Sequence, residues 1–156
     1  MKITTTLLAL CIITASTITI AQPKPEDQIK FRQSGMMFMR WNMGIIKSQV
    51  IKNPQSYNKE SVIKSANTIA AIANSGIESL FNTESATGKG WKDTLVKPEY
   101  FEQREEVEKY IKSFTEQANK LVTTANTGNP GLIKKQFAEL LDACKACHKK
   151  FRSKKK

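Results

Sequence analysis

One histidine, three cysteines and two tryptophans are all that the 156 residues hold of those types. A lone His148 leaves no second imidazole for a histidine-pair metal site or for acid–base work by two histidines. Cys11 lies in the amino-terminal apolar stretch, so Cys144 and Cys147 are the only pair in the rest of the chain, and no disulfide framework holds the fold together. Acidic residues are few: 14 Asp and Glu stand against 25 Lys and Arg, a formal charge of +11 that falls by one if Lys2 is removed. That balance admits nucleic acid, anionic membrane or acidic protein partners without choosing among them. No aromatic and basic platform or recognition-helix motif accompanies the charge, which counts against nucleic acid. Sustained alternation of apolar and polar residues is missing too, so no strand is predicted. The length excludes a large multidomain enzyme but suffices for one domain with a real core.

The one clear apolar run is at the start. Lys2 precedes Leu7, Leu8, Ala9, Leu10, Cys11, Ile12 and Ile13, a Thr/Ser/Ile/Ala stretch reaches Ala21, and the polar run Gln22-Pro23-Lys24-Pro25-Glu26-Asp27 follows. This pattern predicts an export signal over 1–21 cleaved after Ala21, a mature domain over 22–156, a periplasmic location and no stable membrane insertion after cleavage. The alternative is an uncleaved anchor, although the run is short and diluted by Thr and Ser. Leu10-Cys11 fits lipid attachment poorly, because a bulky Leu precedes the cysteine and the cysteine comes early in the run.

Beyond the leader, four segments carry a helical period. The first runs from about Pro25 to Val50, with Ile29, Arg32, Met36, Met39, Met43, Ile46 and Val50 at intervals of three and four. The second runs from near Asn58 to about Phe81, where Val62, Ala66, Ile69, Ala73 and Leu80 form a weaker stripe whose alanines permit close helix contact. The third begins near Pro98 and shows the cleanest stripe: Phe101, Val107, Ile111, Phe114, Ala118, Leu121 and Ala125. Glu99, Glu102, Glu105 and Glu106 place negative charge in its opening turns, where the helix dipole favours it. Gly128-Asn129-Pro130 opens the fourth, with Asn129 suited to cap and Pro130 to the first helical position; it continues through Phe137, Leu140, Cys144 and Cys147 to Phe151. Turn-rich breaks fall at Asn53-Pro54, Asn82 to Lys97 and Thr127 to Pro130. The expected fold is all-α, an antiparallel four-helix bundle.

Cys144-Lys145-Ala146-Cys147-His148 is the constellation that carries chemistry. Two thiols three positions apart can add to the two vinyl groups of a haem, and the adjacent histidine can then reach the iron. A thioredoxin-like dithiol would need a preceding strand, structural zinc would need a fourth ligand, and a simple disulfide would leave the histidine without a role.

That motif in the fourth helix, the opening Lys24-Pro25-Glu26-Asp27, the run Phe31-Arg32-Gln33-Ser34, and Lys97-Pro98-Glu99 before the third helix resemble the class II c-type cytochromes, cytochrome c′ and its low-spin relatives. The resemblance spans essentially all of 22–156. It implies a left-handed bundle with one covalent haem c per chain, often a homodimer through the first two helices. It also implies thioethers at Cys144 and Cys147 and proximal ligation by His148. Arg152 would be the basic residue beside that imidazole, and Arg32 and Gln33 would lie near the propionates, where a guanidinium can grip a carboxylate bidentately.

The same resemblance puts Met36 opposite the iron's open face. A thioether there can ligate iron and raise its potential, or can fill the pocket without bonding. Met36, Met37, Met39 and Met43 are all the methionines after the leader, so a methionine ligand must come from the first helix. The leading expectation is a periplasmic carrier of single electrons with Met36 as sixth ligand, served by an acidic redox partner. The alternative is a five-coordinate binder of nitric oxide or carbon monoxide with Met36 as a distal cap. A helical binding protein using its cysteines otherwise is the reading from a different class. Enzymatic turnover is not expected, since no distal histidine is available for acid–base work.

Overall fold

The computed structural model describes residues 23–154; the proposed leader lies outside them. Among the described residues there are five α-helices: α1 Pro25–Lys47, α2 Lys59–Ala73, the short α3 Glu99–Glu102, α4 Arg104–Thr127 and α5 Pro130–Phe151. The four long ones form the expected all-α, antiparallel four-helix bundle. Across α1 and α2, Gly35 faces Ile72, while Gln49, in the turn that continues α1, donates to Ser61. Across α2 and α4, Thr115 donates to the Ala73 carbonyl while Lys59 packs over Gly128. Gln136 donates to Gln117 and Lys150 pairs with Glu106 across α4 and α5. In each pair one residue number rises as the other falls, which fixes the antiparallel sense.

The helix ends refine the expected boundaries. The first helix was expected to reach Val50, but α1 ends at Lys47 and passes into a π-helical turn, Ser48–Lys52. That turn closes with the Asn53 amide on the Ser48 carbonyl, and Pro54 keeps Asn53 out of the α region. The second was expected to reach Phe81, but α2 stops at Ala73. Asn74 turns its side-chain amide back onto the Ala70 carbonyl and Gly76 adopts φ +73°, a left-handed conformation that a side chain would strain. A 3₁₀ turn, Ile77–Leu80, follows. The third segment is broken at Gln103, which leaves helical geometry between α3 and α4. The fourth begins and ends as expected: the Asn129 side chain accepts from the amides of Gly131 and Leu132, and Pro130 fills the first position.

The core falls into two clusters. The larger joins Ile46 and Val50 to Val62, Ala66, Ile69 and Ala73 of α2, Ala118, Leu121 and Ala125 of α4, and Ile133, Phe137 and Leu140 of α5. Full burial of a Leu or Ile here contributes roughly 1.5–3 kcal/mol, and the alanines bring α2 and α4 close. The smaller cluster, Tyr100, Val107 and Phe151 with Phe81, Val96 and Phe101 against it, lies where α5 ends and α4 begins. Between α2 and α3 a long crossover passes this end of the bundle, with a capping box of Asn82 and Ser85 at its start.

Candidate functional site

The helical repeat of α5 sets Cys144, Cys147 and His148 on one face, three and four residues apart. Both thiols are free and half-buried, and they sit at the junction of the two core clusters: Cys144 packs on the larger and Cys147 on the smaller. Burial, with a smaller push from Cys147, raises the Cys144 thiol to about 11, and burial raises Cys147 as well. Thiols held neutral in this way are poor exchange nucleophiles, which weighs against a dithiol redox role. Among the described residues there is no strand and no group of three His, Cys, Asp or Glu side chains placed to hold a bare metal ion. The zinc and thioredoxin readings therefore lose their structural requirements.

His148 lies at an open depression of about 540 Å³ lined by Leu95, Lys145, Lys149, Arg152, Ser153 and Lys154. Its pKa is lowered first by burial of the ring and then by the Arg152 charge, so at neutral pH the imidazole keeps a lone pair for a metal. Arg152 is the residue after α5, with its amide on the His148 carbonyl and its side chain exposed. Two thiols beside apolar surface and a neutral imidazole on the same face fit a covalently attached haem.

Arg32 is only 3% exposed, and its surroundings differ from the expected bidentate grip on a propionate. One terminal nitrogen donates to the Leu80 carbonyl and the Ser85 hydroxyl, the other to the Ser85 carbonyl and the Thr94 hydroxyl, all at 2.7–2.8 Å. These bonds use every hydrogen on the two terminal nitrogens, leaving Nε–H and the charge itself for any carboxylate. The guanidinium also lies 4.6 Å from the centre of the Phe81 ring. Burial lowers its pKa, with Tyr100 acting in the opposite sense, yet a guanidinium remains charged.

Gln33 likewise turns to the crossover, donating to the Lys92 carbonyl and accepting from the Lys92 amide. Gly90 fits beside it because a Cβ there would come within 2.7 Å of the Lys30 nitrogen and 2.9 Å of the Gln33 side-chain oxygen. Met36 is 37% exposed, whereas Met39, expected on the same inward face, is 7% exposed; Met43 packs against the larger cluster and Met37 faces outward.

Cys144, Cys147, His148 and Arg152 thus gather at one end of α5. Arg32 and Gln33 attach α1 to the crossover that meets this end. Sequence reasoning missed the acceptors Ser85 and Thr94, and it singled out Ser34 only within the run Phe31-Arg32-Gln33-Ser34, without its contact, a hydrogen bond from the Trp91 indole. Only the Asn82-to-Ser85 spacing offered a signal, as a capping box.

The family model described as cytochrome C′ matches residues 27–152. A cytochrome c′ of Rhodocyclus tenuis is 48% identical over 131 residues, covering 84% of this chain and 97% of that protein. One from Allochromatium vinosum is 42% identical over 140 residues, covering 90% and 89%. Among solved structures, a cytochrome c′ described as having ligand-controlled dimer dissociation superposes with a TM-score of 0.81 at 42% identity, over 86% of this chain and all of that one. The cytochrome c′ of Thermochromatium tepidum gives 0.80 at 41%, over 86% and 100%. The match over nearly the whole described chain, joined to a bundle with free thiols and an imidazole on one face of its last helix, places the protein in the cytochrome c′ family, as a c-type cytochrome with covalently attached haem c.

Proposed function

We propose that Cys144 and Cys147 hold the haem, that His148 ligates its iron, and that the opposite face, capped by Met36 without bonding, receives nitric oxide or carbon monoxide. Haem c supplies an iron that cycles between two oxidation states one electron apart and, when reduced, binds diatomic gases. The observation that carries the reading of an open face is the 42% identical cytochrome c′ described as having ligand-controlled dimer dissociation, a behaviour that needs a haem open to a ligand. Three cytochrome c prime structures from Alcaligenes xylosoxidans described with nitric oxide share the fold at 22–23% identity, with TM-scores of 0.73 to 0.75. The chain's own residues anchor the cofactor, hold the imidazole neutral and limit access with a flexible apolar side chain.

Electron carriage with Met36 as sixth ligand is the second reading, favoured by the presence of a methionine at that place on α1. An acidic redox protein is the partner that suits the charge, since Lys145, Lys149, Arg152 and Lys154 surround the depression at His148. No turnover is proposed, because the sole histidine is taken by the iron. Export to the periplasm rests on residues 1–21; among the described residues no helix is long and apolar enough to cross a membrane. A homodimer is proposed through α1 and α2. Met37, Phe38 and Trp41 are exposed on α1, and they adjoin a shallow groove at Gly44, where an added Cβ would meet nothing.

Visible and near-infrared spectra of the oxidised and reduced protein, repeated for Met36→Ala, test the coordination. A high-spin iron whose coordination the substitution does not change, with prompt gas binding on reduction, is expected. A low-spin spectrum with a sulfur-to-iron charge-transfer band that the substitution abolishes would instead make Met36 a ligand and electron transfer the function.

A further inference from the structure

Three consecutive residues of α1 grip one loop. Arg32 holds Leu80, Ser85 and Thr94; Gln33 holds Lys92 through both its amide atoms; Ser34 accepts from the Trp91 indole at 2.9 Å. Successive residues of an α-helix point about 100° apart, so three in a row can touch one loop only if that loop wraps around the helix. Gly90, seated against the α1 backbone at Lys30, is what allows the approach.

The far end of the same loop is fastened to the end of α5. The Lys97 amide donates to the Phe151 carbonyl at 2.9 Å and the Ser153 amide to the Leu95 carbonyl at 2.8 Å, a short antiparallel pairing of Val96 with Arg152. The two fastenings are one residue apart: Thr94 takes the Arg32 guanidinium at 2.8 Å, and Leu95, next in the chain, takes Ser153. Leu95 also lines the depression at His148, and the Arg152 amide bonds to the His148 carbonyl. A buried arginine on the first helix is therefore joined to the histidine of the last by a short run of hydrogen bonds and backbone.

We infer that Arg32 is a positioning residue for the His148 side of the site, acting through Thr94, Leu95 and the Leu95–Lys97 pairing with Phe151–Ser153. This rests on the reading that His148 ligates the iron. A desolvated cation is tolerated only when its donors are satisfied, so the guanidinium holds its four acceptors in one arrangement and leaves the loop little freedom. Fixing Thr94 fixes Leu95 at the depression that His148 also lines and holds the last turn of α5, which carries that imidazole, against fraying.

The test uses the full haem-bearing protein and compares Thr94→Val, which removes the hydroxyl that takes the Arg32 guanidinium at 2.8 Å and, at 3.4 Å, the Val96 amide, with Arg32→Met and Arg32→Lys, which leave the Val96 contact in place. Thr94→Val keeps the test informative if Arg32→Met fails to fold. Amide hydrogen exchange and the iron's spectrum and midpoint potential are read on each. In Thr94→Val, the Lys97 and Ser153 amides are expected to exchange about tenfold faster, the scale of losing one such hydrogen bond. The spectrum and potential should shift with them, while Ala118 and Leu121 keep their protection. Arg32→Lys, which keeps the charge but not the fork, should fall between wild type and Thr94→Val. Wild-type exchange at Lys97 and Ser153 in Thr94→Val overturns the inference, as does faster exchange with an unmoved spectrum and potential. His148→Ala separates the underlying reading: an unchanged iron spectrum there would refute ligation by His148, whatever the amides do.

Discussion

Tyr100 shows how one side chain in the smaller cluster sets a pH limit. Its ring packs on Phe81, Phe101 and Phe151, and its pKa rises from 10.0 to about 12, chiefly by burial and secondarily by Cys147. The proposed thioether at Cys147 would have no charge to contribute, so burial would carry the shift in the haem-bearing protein. Between pH 10 and 12 the unfolded chain loses the phenolic proton while the folded one keeps it. The native state then binds more protons, and stability falls as pH rises. The effect is at most on the order of 2 kcal/mol, and Tyr100→Phe should remove it: denaturation at pH 9 and 11.5 is expected to show a steeper alkaline loss in wild type than in the variant. Equal losses would mean that Tyr100 ionises as freely in the fold as out of it. At this scale, legibility depended on how local the information is. Cys144, Cys147 and His148 could be read because their meaning lies within five residues. Arg32 could be singled out but not explained, since its partners lie 48 to 62 positions away.

Helix α5 isolates what a cap contributes. Asn129 accepts from two orphan amides at 3.0 and 3.2 Å, and the haem motif begins fifteen residues further along the same helix. Asn129→Ala should cost about 1 kcal/mol, read as a lower denaturation midpoint at unchanged slope, with the visible spectrum of the native protein unaltered. A spectral change would mean that the start of α5 is coupled to its end. The start and end of this helix were legible because Gly128-Asn129-Pro130 and the apolar stripe to Phe151 act locally. The ends of α1 and α2 were not. The apolar period runs on through Val50 and Leu80, but α1 widens into a π turn before Asn53-Pro54 and the left-handed Gly76 stops α2. Nothing in the helix-favouring run Gln103-Arg104-Glu105-Glu106 announces the break before α4. The break goes with Tyr100 being packed between Phe81 and Phe151, a contact between segments far apart in the chain.

For the molecule as a whole, the core divides where Cys144 and Cys147 pack, the proposed place of the haem, and the exposed face of α1 is what a second copy would cover. The stripes foretold an apolar interior but not that it would divide, because periodicity gives each helix a face and says nothing of how the faces meet. The same limit applies to the surface. Phe38 and Trp41 stack at 5.4 Å and remain 50% and 59% exposed, beside exposed Met37. Large apolar side chains grouped on one helix face of a cationic monomer mark an interface, and a two-fold interface sets each such residue near its own counterpart. Trp41→Lys would then bring two like charges together in a protein already strongly positive, and the dimer should dissociate. Sedimentation over a wide concentration range is expected to show a dimer for wild type and a monomer for Trp41→Lys, with matching helical content and iron spectra. A wild type that stays monomeric throughout would refute the dimer. A variant that still dimerises would move the interface off this face of α1, and the exposed aromatic pair would need another partner.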